Sequence, residues 1–366
     1  MTDNRNRNLD GLRGLSAIIV VVHHILLTNP AFSDAFYYGK TANLPTWIVA
    51  FTPLRLFWDG PSAVAIFFML SAFVLTGLFP KVKSYKKYAL SRMARLYIPS
   101  VVVSAAAILA NLLFAGQFQK ATSSWLASVV PASPVSPLQL TLLGVPGLFP
   151  LWSTRLEIVF SLAIGLGVVL ATRARLRFSL PILLLTCALG YLLTPWVPVD
   201  LLQLLRFGAV FFLGSLAWRF LQDTNHSAIK QRLDVAMQRF PHQTSWSLLM
   251  VGLLLSSVGW FVLGNVLLAA LLVPLSSLGL LLVLVAVASS PVFARFFGLP
   301  WLQWLGANSF SLYLVHGAVV YFWAFLLGAG WLNGMGMFVL ALGLTWVVQR
   351  FITDPAHQLA RQVLRG

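Results

Sequence analysis

Ten mostly apolar stretches, each close to the roughly 18 residues that a helix needs to cross a bilayer, recur along this chain from end to end. They lie near 13–29, 61–80, 96–115, 150–171, 179–195, 201–219, 246–263, 265–288, 305–327 and 331–351. Of the 366 residues 59% are hydrophobic and 9% charged, whereas soluble chains carry about a quarter charged residues. The chain is therefore expected to be an all-α integral membrane protein of about ten transmembrane helices, forming one membrane-embedded domain over 1–366. The divisions are least distinct at 246–288, split only at Gly264 and Asn265, and at the short 179–195.

The basic residues suggest an orientation. With the N-terminus inside, 20 of the 25 lysines and arginines fall on the inner side, three (Lys40, Arg55 and Lys120) fall outside, and Arg155 and Arg206 lie within spans. Short cytoplasmic segments carry such an excess, so both termini are expected in the cytoplasm. In a soluble protein the formal net charge of +16 would suggest nucleic acid as a partner. Placed in short segments between spans, it excludes that reading and points to topology and membrane lipids. Cys187 is the only cysteine, so no intrachain disulfide and no cysteine-rich metal site can form. The first span follows "MTDNRNRN" without a small-residue cleavage pattern and is expected to be retained as a helix. The longest outer loops, 30–60 and 116–149, are where an extracytoplasmic substrate would be selected.

Ionisable groups inside apolar spans mark functional sites by default. Glu157, the sole glutamate, lies in "PLWSTRLEIVFSL", about 10 Å into the fourth span. Burying it alone would cost about 2.5–3.5 kcal/mol, so a partner is expected, either Arg155 or a histidine. In "LDGLRGLSAIIVVVHH", Arg13 and His24 are eleven residues apart, about 1100° of helical rotation, which leaves them roughly 20° from alignment. They share a stripe, with His24 about 16 Å further along the helix and His23 turned about 100° away. An interfacial arginine suits phosphate geometry, and a deeper imidazole can take a proton from an attacking hydroxyl. A long phosphate-bearing acyl carrier such as coenzyme A fits that layout.

Arg92 and Arg95 share a helical face just before the third span. His316, in "LGANSFSLYLVHGAVV", lies at a depth similar to His24, with Ser309 and Tyr313 on the same face to orient or hydrogen-bond its ring. Ser71 reads as a packing or backbone-bonded serine, Arg206 as snorkelling or paired with Asp200, and the tryptophans near span ends as an aromatic belt. No Walker loop, dinucleotide fingerprint, HExxH or GxSxG is present, and no metal is implied.

"LDGLRGLSAIIVVVHH", "VAIFFMLSAFVLTG", "SRMARLYIPS", "LWSTRLEIVFSL" and "LGANSFSLYLVHG" resemble, in order and spacing, the membrane O-acyltransferases of acyltransferase family 3. The resemblance covers about residues 9–352. It implies that Arg13 and His24 are the signature arginine and catalytic histidine, that Arg92 and Arg95 are paired arginines serving the acyl donor, and that Glu157 and His316 are the family's glutamate and late histidine. It departs at Ala72, where Gly is usual, and at Thr154, where Leu is common. Such enzymes move an acyl group, often acetyl, from cytoplasmic acyl-CoA to a hydroxyl of a carbohydrate, glycolipid or related acceptor. A stand-alone transferase in a bacterial inner membrane is expected, with homo-oligomerisation left open. His24 is expected to be the general base, with Glu157 or His316 orienting it; a transient acyl-histidine is the alternative chemistry. The rival class is a proton-coupled transporter or lipid flippase whose buried His and Glu relay protons, although neither inverted repeats nor correspondingly broken helices are visible.

Overall fold

The computed structural model describes residues 6–129, 151–172, 176–222, 228–262 and 265–365, and every regular element among them is a helix. In chain order the α-helices are α1 (Arg7–Leu27), α2 (Pro30–Tyr38), α3 (Leu44–Phe51), α4 (Gly60–Leu78), α5 (Tyr85–Phe114), α6 (Ser124–Val129), α7 (Leu151–Leu162), α8 (Ile164–Thr172) and α9 (Leu176–Leu192). They continue with α10 (Val199–Gln222), α11 (Ala228–Arg239), α12 (Pro241–Ser257), α13 (Val266–Ser289), α14 (Ala294–Phe297), α15 (Pro300–Leu327), α16 (Trp331–Val348) and α17 (Asp354–Arg365). A π-helical turn at Gln349–Thr353 joins the last two.

Among the described residues eight helices are long and apolar enough to cross a membrane, and a ninth span results if α7 and α8 are counted together. The chain is a multi-pass integral membrane protein. All ten apolar stretches are helical where described, but two fall short of a straight crossing. The stretch at 179–195 yields an apolar helix of only Phe178–Leu192. The stretch at 150–171 is bent by 55° between α7 and α8. The bend has a local cause: Gly165 and Gly167 follow the break, glycine is a weak helix former, and Gly167 lies against Ser215 and Phe212 of α10 where a side chain would not fit. Most of the outer loop at 116–149 lies outside the described residues.

The chain forms two compact units. The first comprises Met1–Ser16, Pro61–Val82 and Phe160–Ala307. Its helices meet through small residues, which let backbones approach in the absence of a hydrophobic drive between helices in lipid. Gly214 of α10 rests on the Met69 carbonyl of α4, Gly252 of α12 faces Gly279 of α13, and Gly306 of α15 rests on the Asp10 carbonyl of α1. Asn8 ties the start of α1 down by donating to the carbonyls of Val287 and Ser290, each at 2.9 Å. Arg206 finds a route that neither sequence expectation named: it donates to the Gly190 carbonyl at 2.6 Å and the Thr194 hydroxyl at 2.7 Å, over the Tyr191 ring.

A methyl group added at Gly306 would overlap the backbone oxygen of Asp10, which cannot swing aside as a side-chain end could. Gly306→Ala is expected to destabilise the protein by about 1–3 kcal/mol or more. The check is its melting temperature in detergent, and unchanged melting would mean that α1 and α15 are not held this close.

The second unit comprises Ala17–Gly60, Lys83–Val159 and Asn308–Gly366. Its loop helices are specified locally. Asn29 caps α2 through a bond from the Ala31 N–H, Pro30 opens the helix, and Gly39 closes it at φ 67, a left-handed conformation that glycine takes without strain. From α2 the buried Ser33 hydroxyl accepts the Trp125 N–H at 3.0 Å and meets the Ser124 hydroxyl at 2.6 Å. This pins α6 and places Trp125. Along the other end, α17 packs on α5, with Ala356 and Ala360 buried one helical turn apart. Two small residues at that spacing allow close approach.

Candidate active site

Five elements of the second unit bring polar side chains together: the C-terminal half of α1, α5, α6, the start of α7, and the C-terminal part of α15. His24, Glu157 and His316 interrupt apolar spans, whereas Arg92 stands just before one. A polar group in that setting must find a partner inside the protein.

His24 and His316 lie 292 residues apart in sequence, and their rings meet, with His24 Nδ1 and His316 Nε2 at 3.2 Å. The neighbouring carbonyls assign the protons. His24 Nδ1 also faces the Val20 carbonyl at 3.0 Å. His316 Nδ1 faces the carbonyls of Tyr313 at 2.7 Å and Leu312 at 3.2 Å. A carbonyl oxygen only accepts, so both Nδ1 atoms carry hydrogen and both Nε2 atoms carry the lone pair. The His24 N–H is thus shared between Val20 and His316 Nε2, and the basic nitrogen of His24 is its Nε2. Trp125 and His23 flank the His24 ring at centroid distances of 5.4 and 5.2 Å. His316 is fully buried, whereas His24 remains partly accessible.

His23 serves a different neighbourhood, as its offset on the helix suggests. It is buried, donates from Nδ1 to the Trp58 carbonyl at 2.8 Å, and packs on the rings of Phe36 and Trp58. Arg55 lies over those same two rings at 5.2 and 5.6 Å. Burial pulls its pKa below the ordinary arginine value, and the charge of Asp59 opposes that. His23 therefore braces the loop helices beside His24.

Glu157 has a partner from another helix. Arg92 of α5, which the sequence did not offer as a partner, brings its Nη2 to 3.6 Å from Glu157 Oε1. At that distance the contact is an ion pair more than a hydrogen bond. It is partly buried on both sides, so solvent screens it less than a surface pair. Next to it on α7, the Ser153 hydroxyl meets the Tyr313 hydroxyl at 2.5 Å. Tyr313 was expected to orient the His316 ring from the same helix face. It does so through its backbone carbonyl, while its hydroxyl ties α15 to α7.

The described residues therefore bring together two imidazoles in contact and a carboxylate–guanidinium pair. A family model described as an acyltransferase domain matches residues 6–350 of the chain. The chain belongs to acyltransferase family 3. No curated protein and no solved structure matches it.

As a membrane acyltransferase of that family, the protein is an enzyme transferring groups other than aminoacyl groups, which sets aside the transporter and flippase reading. Of the six residues that the sequence marked, His24, His316, Glu157 and Arg92 make the contacts above, and Arg95 lies one turn beyond Arg92 on α5. Arg13 belongs to the first unit, on the same unbroken helix as His24, and pairs with Asp10 at 3.0 Å. Sequence reasoning missed Trp125, beside the His24 ring, and Ser153, bonded to Tyr313, as members of this cluster. Ser153 carried a weak signal, being a polar residue one helical turn before Glu157. Trp125 carried none, because a tryptophan near an outer loop reads as belt.

Proposed function

We propose that the protein is a membrane O-acyltransferase that moves an acyl group, typically acetyl, from cytoplasmic acyl-CoA to a hydroxyl of a carbohydrate, glycolipid or related acceptor in a bacterial plasma membrane. The observation that supports this best is the pairing of His24 with His316, because it leaves the lone pair on the Nε2 of the partly accessible ring. Both termini lie on the cytoplasmic side in this reading, following the charge asymmetry of the loops.

The acceptor hydroxyl gives its proton to His24 Nε2 as its oxygen attacks the thioester carbonyl carbon. The tetrahedral intermediate collapses with cleavage of the C–S bond. The thiolate takes the proton back from the imidazolium and leaves as CoA thiol. His316 acts as a positioning residue: its Nε2 accepts the His24 N–H and gains strength when His24 becomes a cation, the part that a carboxylate plays in a serine-protease triad. The Arg92–Glu157 pair sets the angle of the Arg92 guanidinium, which with Arg95 holds donor phosphate in the way that planar guanidinium groups favour. Arg13 is proposed as a phosphate-binding arginine from its stripe on α1 with His24 alone.

Purified protein incubated with radiolabelled acetyl-CoA and a panel of sugar and glycolipid acceptors should release CoA thiol only when a hydroxyl acceptor is present, with label in the product. Absence of turnover with acetyl and longer acyl donors across the panel would reject the reading. Label held on the protein without acceptor, and lost in His24→Ala, would replace the base mechanism by an acyl-histidine one.

A further inference from the structure

The C-terminal helix α17 carries polar groups that the mechanism above does not use. Its position follows from the π-helical turn at Gln349–Thr353, because a π turn holds one residue more than an α turn and rotates everything after it by about 100°. A knot of hydrogen bonds holds that turn. The Ser311 hydroxyl of α15 meets Gln349 at 2.8 Å and Thr353 at 2.7 Å, and the Gln349 amide donates to Asp354 at 2.6 Å. Beyond it, Ala356 and Ala360 seat α17 against α5. His357 follows Ala356 on the flank of that contact, and Arg361 stands one turn further on the same side.

His357 thereby enters the electrostatic neighbourhood of Arg95, Arg361 and Arg92, with the carboxylate of Asp354 beside it and that of Glu157 on Arg92. The Asp354 carboxylate already receives the Gln349 amide. Two nitrogens in this neighbourhood, His357 Nε2 and Arg92 Nε, are buried without a hydrogen-bond partner. An orphaned buried polar group costs about 1–3 kcal/mol, so two of them in a cationic cluster mark a place where an anion with several acceptor oxygens belongs. Phosphate esters have that chemistry, and bind where guanidinium and imidazole N–H groups converge.

We infer that His357 and Arg361 of α17 complete, with Arg92 and Arg95 of α5, a binding site for a phosphate group of the acyl donor. The inference rests on the acyl-CoA reading above and adds to it the C-terminal helix as a donor-binding element. In this arrangement His357 sets donor affinity without touching the reacting atoms.

The test uses the full chain in detergent and in nanodiscs. His357→Leu should weaken binding of free CoA five- to twentyfold and raise KM for acetyl-CoA by the same factor, with kcat within twofold of wild type. Acetyl-pantetheine, which lacks the nucleotide phosphates, should show no change in KM. His357→Gln, which keeps an N–H donor, should recover part of the loss, and Arg361→Ala should weaken CoA binding two- to fivefold. If wild type binds CoA and His357→Leu binds it equally well, this inference falls and the acyl-CoA reading stands. If wild type binds no CoA, both fall. If His357→Leu changes only the retention of phosphatidylglycerol in nanodiscs, the occupant is a lipid head group and the donor assignment is overturned. An equal KM shift for acetyl-pantetheine would reduce His357 to a structural role.

Discussion

His24→Ala is expected to lower acyl transfer by about 10²–10⁴-fold, the usual worth of a positioned general base. The variant should still insert in the membrane and elute as a single folded species, because the ring is partly accessible and its removal leaves no buried carbonyl without its helical bond. Initial rates with labelled donor, measured beside membrane fractionation and size-exclusion profiles, check both halves of the expectation. Turnover within tenfold of wild type would remove His24 from the chemistry. Partial recovery with added imidazole would support proton transfer by a diffusible base over formation of an acyl-enzyme.

The second large effect is expected at His316. When His24 takes a proton, the bond from its Nδ1 to His316 Nε2 becomes charge-assisted, a class worth about 1.5–3 kcal/mol. Its loss corresponds to roughly a 10–150-fold fall in kcat. His316→Ala should therefore reduce kcat by that factor with little change in KM for the donor. His316→Asn should retain more activity, since its side-chain oxygen can accept the His24 N–H. A purely structural role would show instead as equal losses in both variants, tracking their melting temperatures.

The hydropathy pattern carried the helices and singled out three of the polar side chains that come into contact, for a physical reason. A charged or imidazole group inside an apolar run is costly in lipid, so Glu157, His24 and His316 stand out in a one-dimensional reading. Their partners do not stand out. Glu157 meets an arginine that the sequence had assigned only to the donor, because Arg92 arrives on another helix, 65 residues earlier in the chain. The bend after α7 was equally hidden, since Gly165 and Gly167 are ordinary residues in a membrane span and only the fold sets Gly167 against Ser215 and Phe212 of α10. The tail after 351 lies beyond the last apolar stretch and contributes only to the charge count in the sequence. Its spacing of Ala356 and Ala360, flanked by His357 and Arg361, gained meaning only once the π turn set its rotation.

By itself, then, the order of residues determined that this chain lives in a membrane, where its helices run, which family it belongs to and which few ionisable groups lie inside its apolar spans. Solvation energy acts on each segment separately and so is written locally. The tertiary structure alone decided which nitrogen of His24 holds the lone pair, which cation meets Glu157 and which face α17 presents. Those outcomes depend on carbonyls and side chains brought from tens to hundreds of residues away, and only helix packing selects among them.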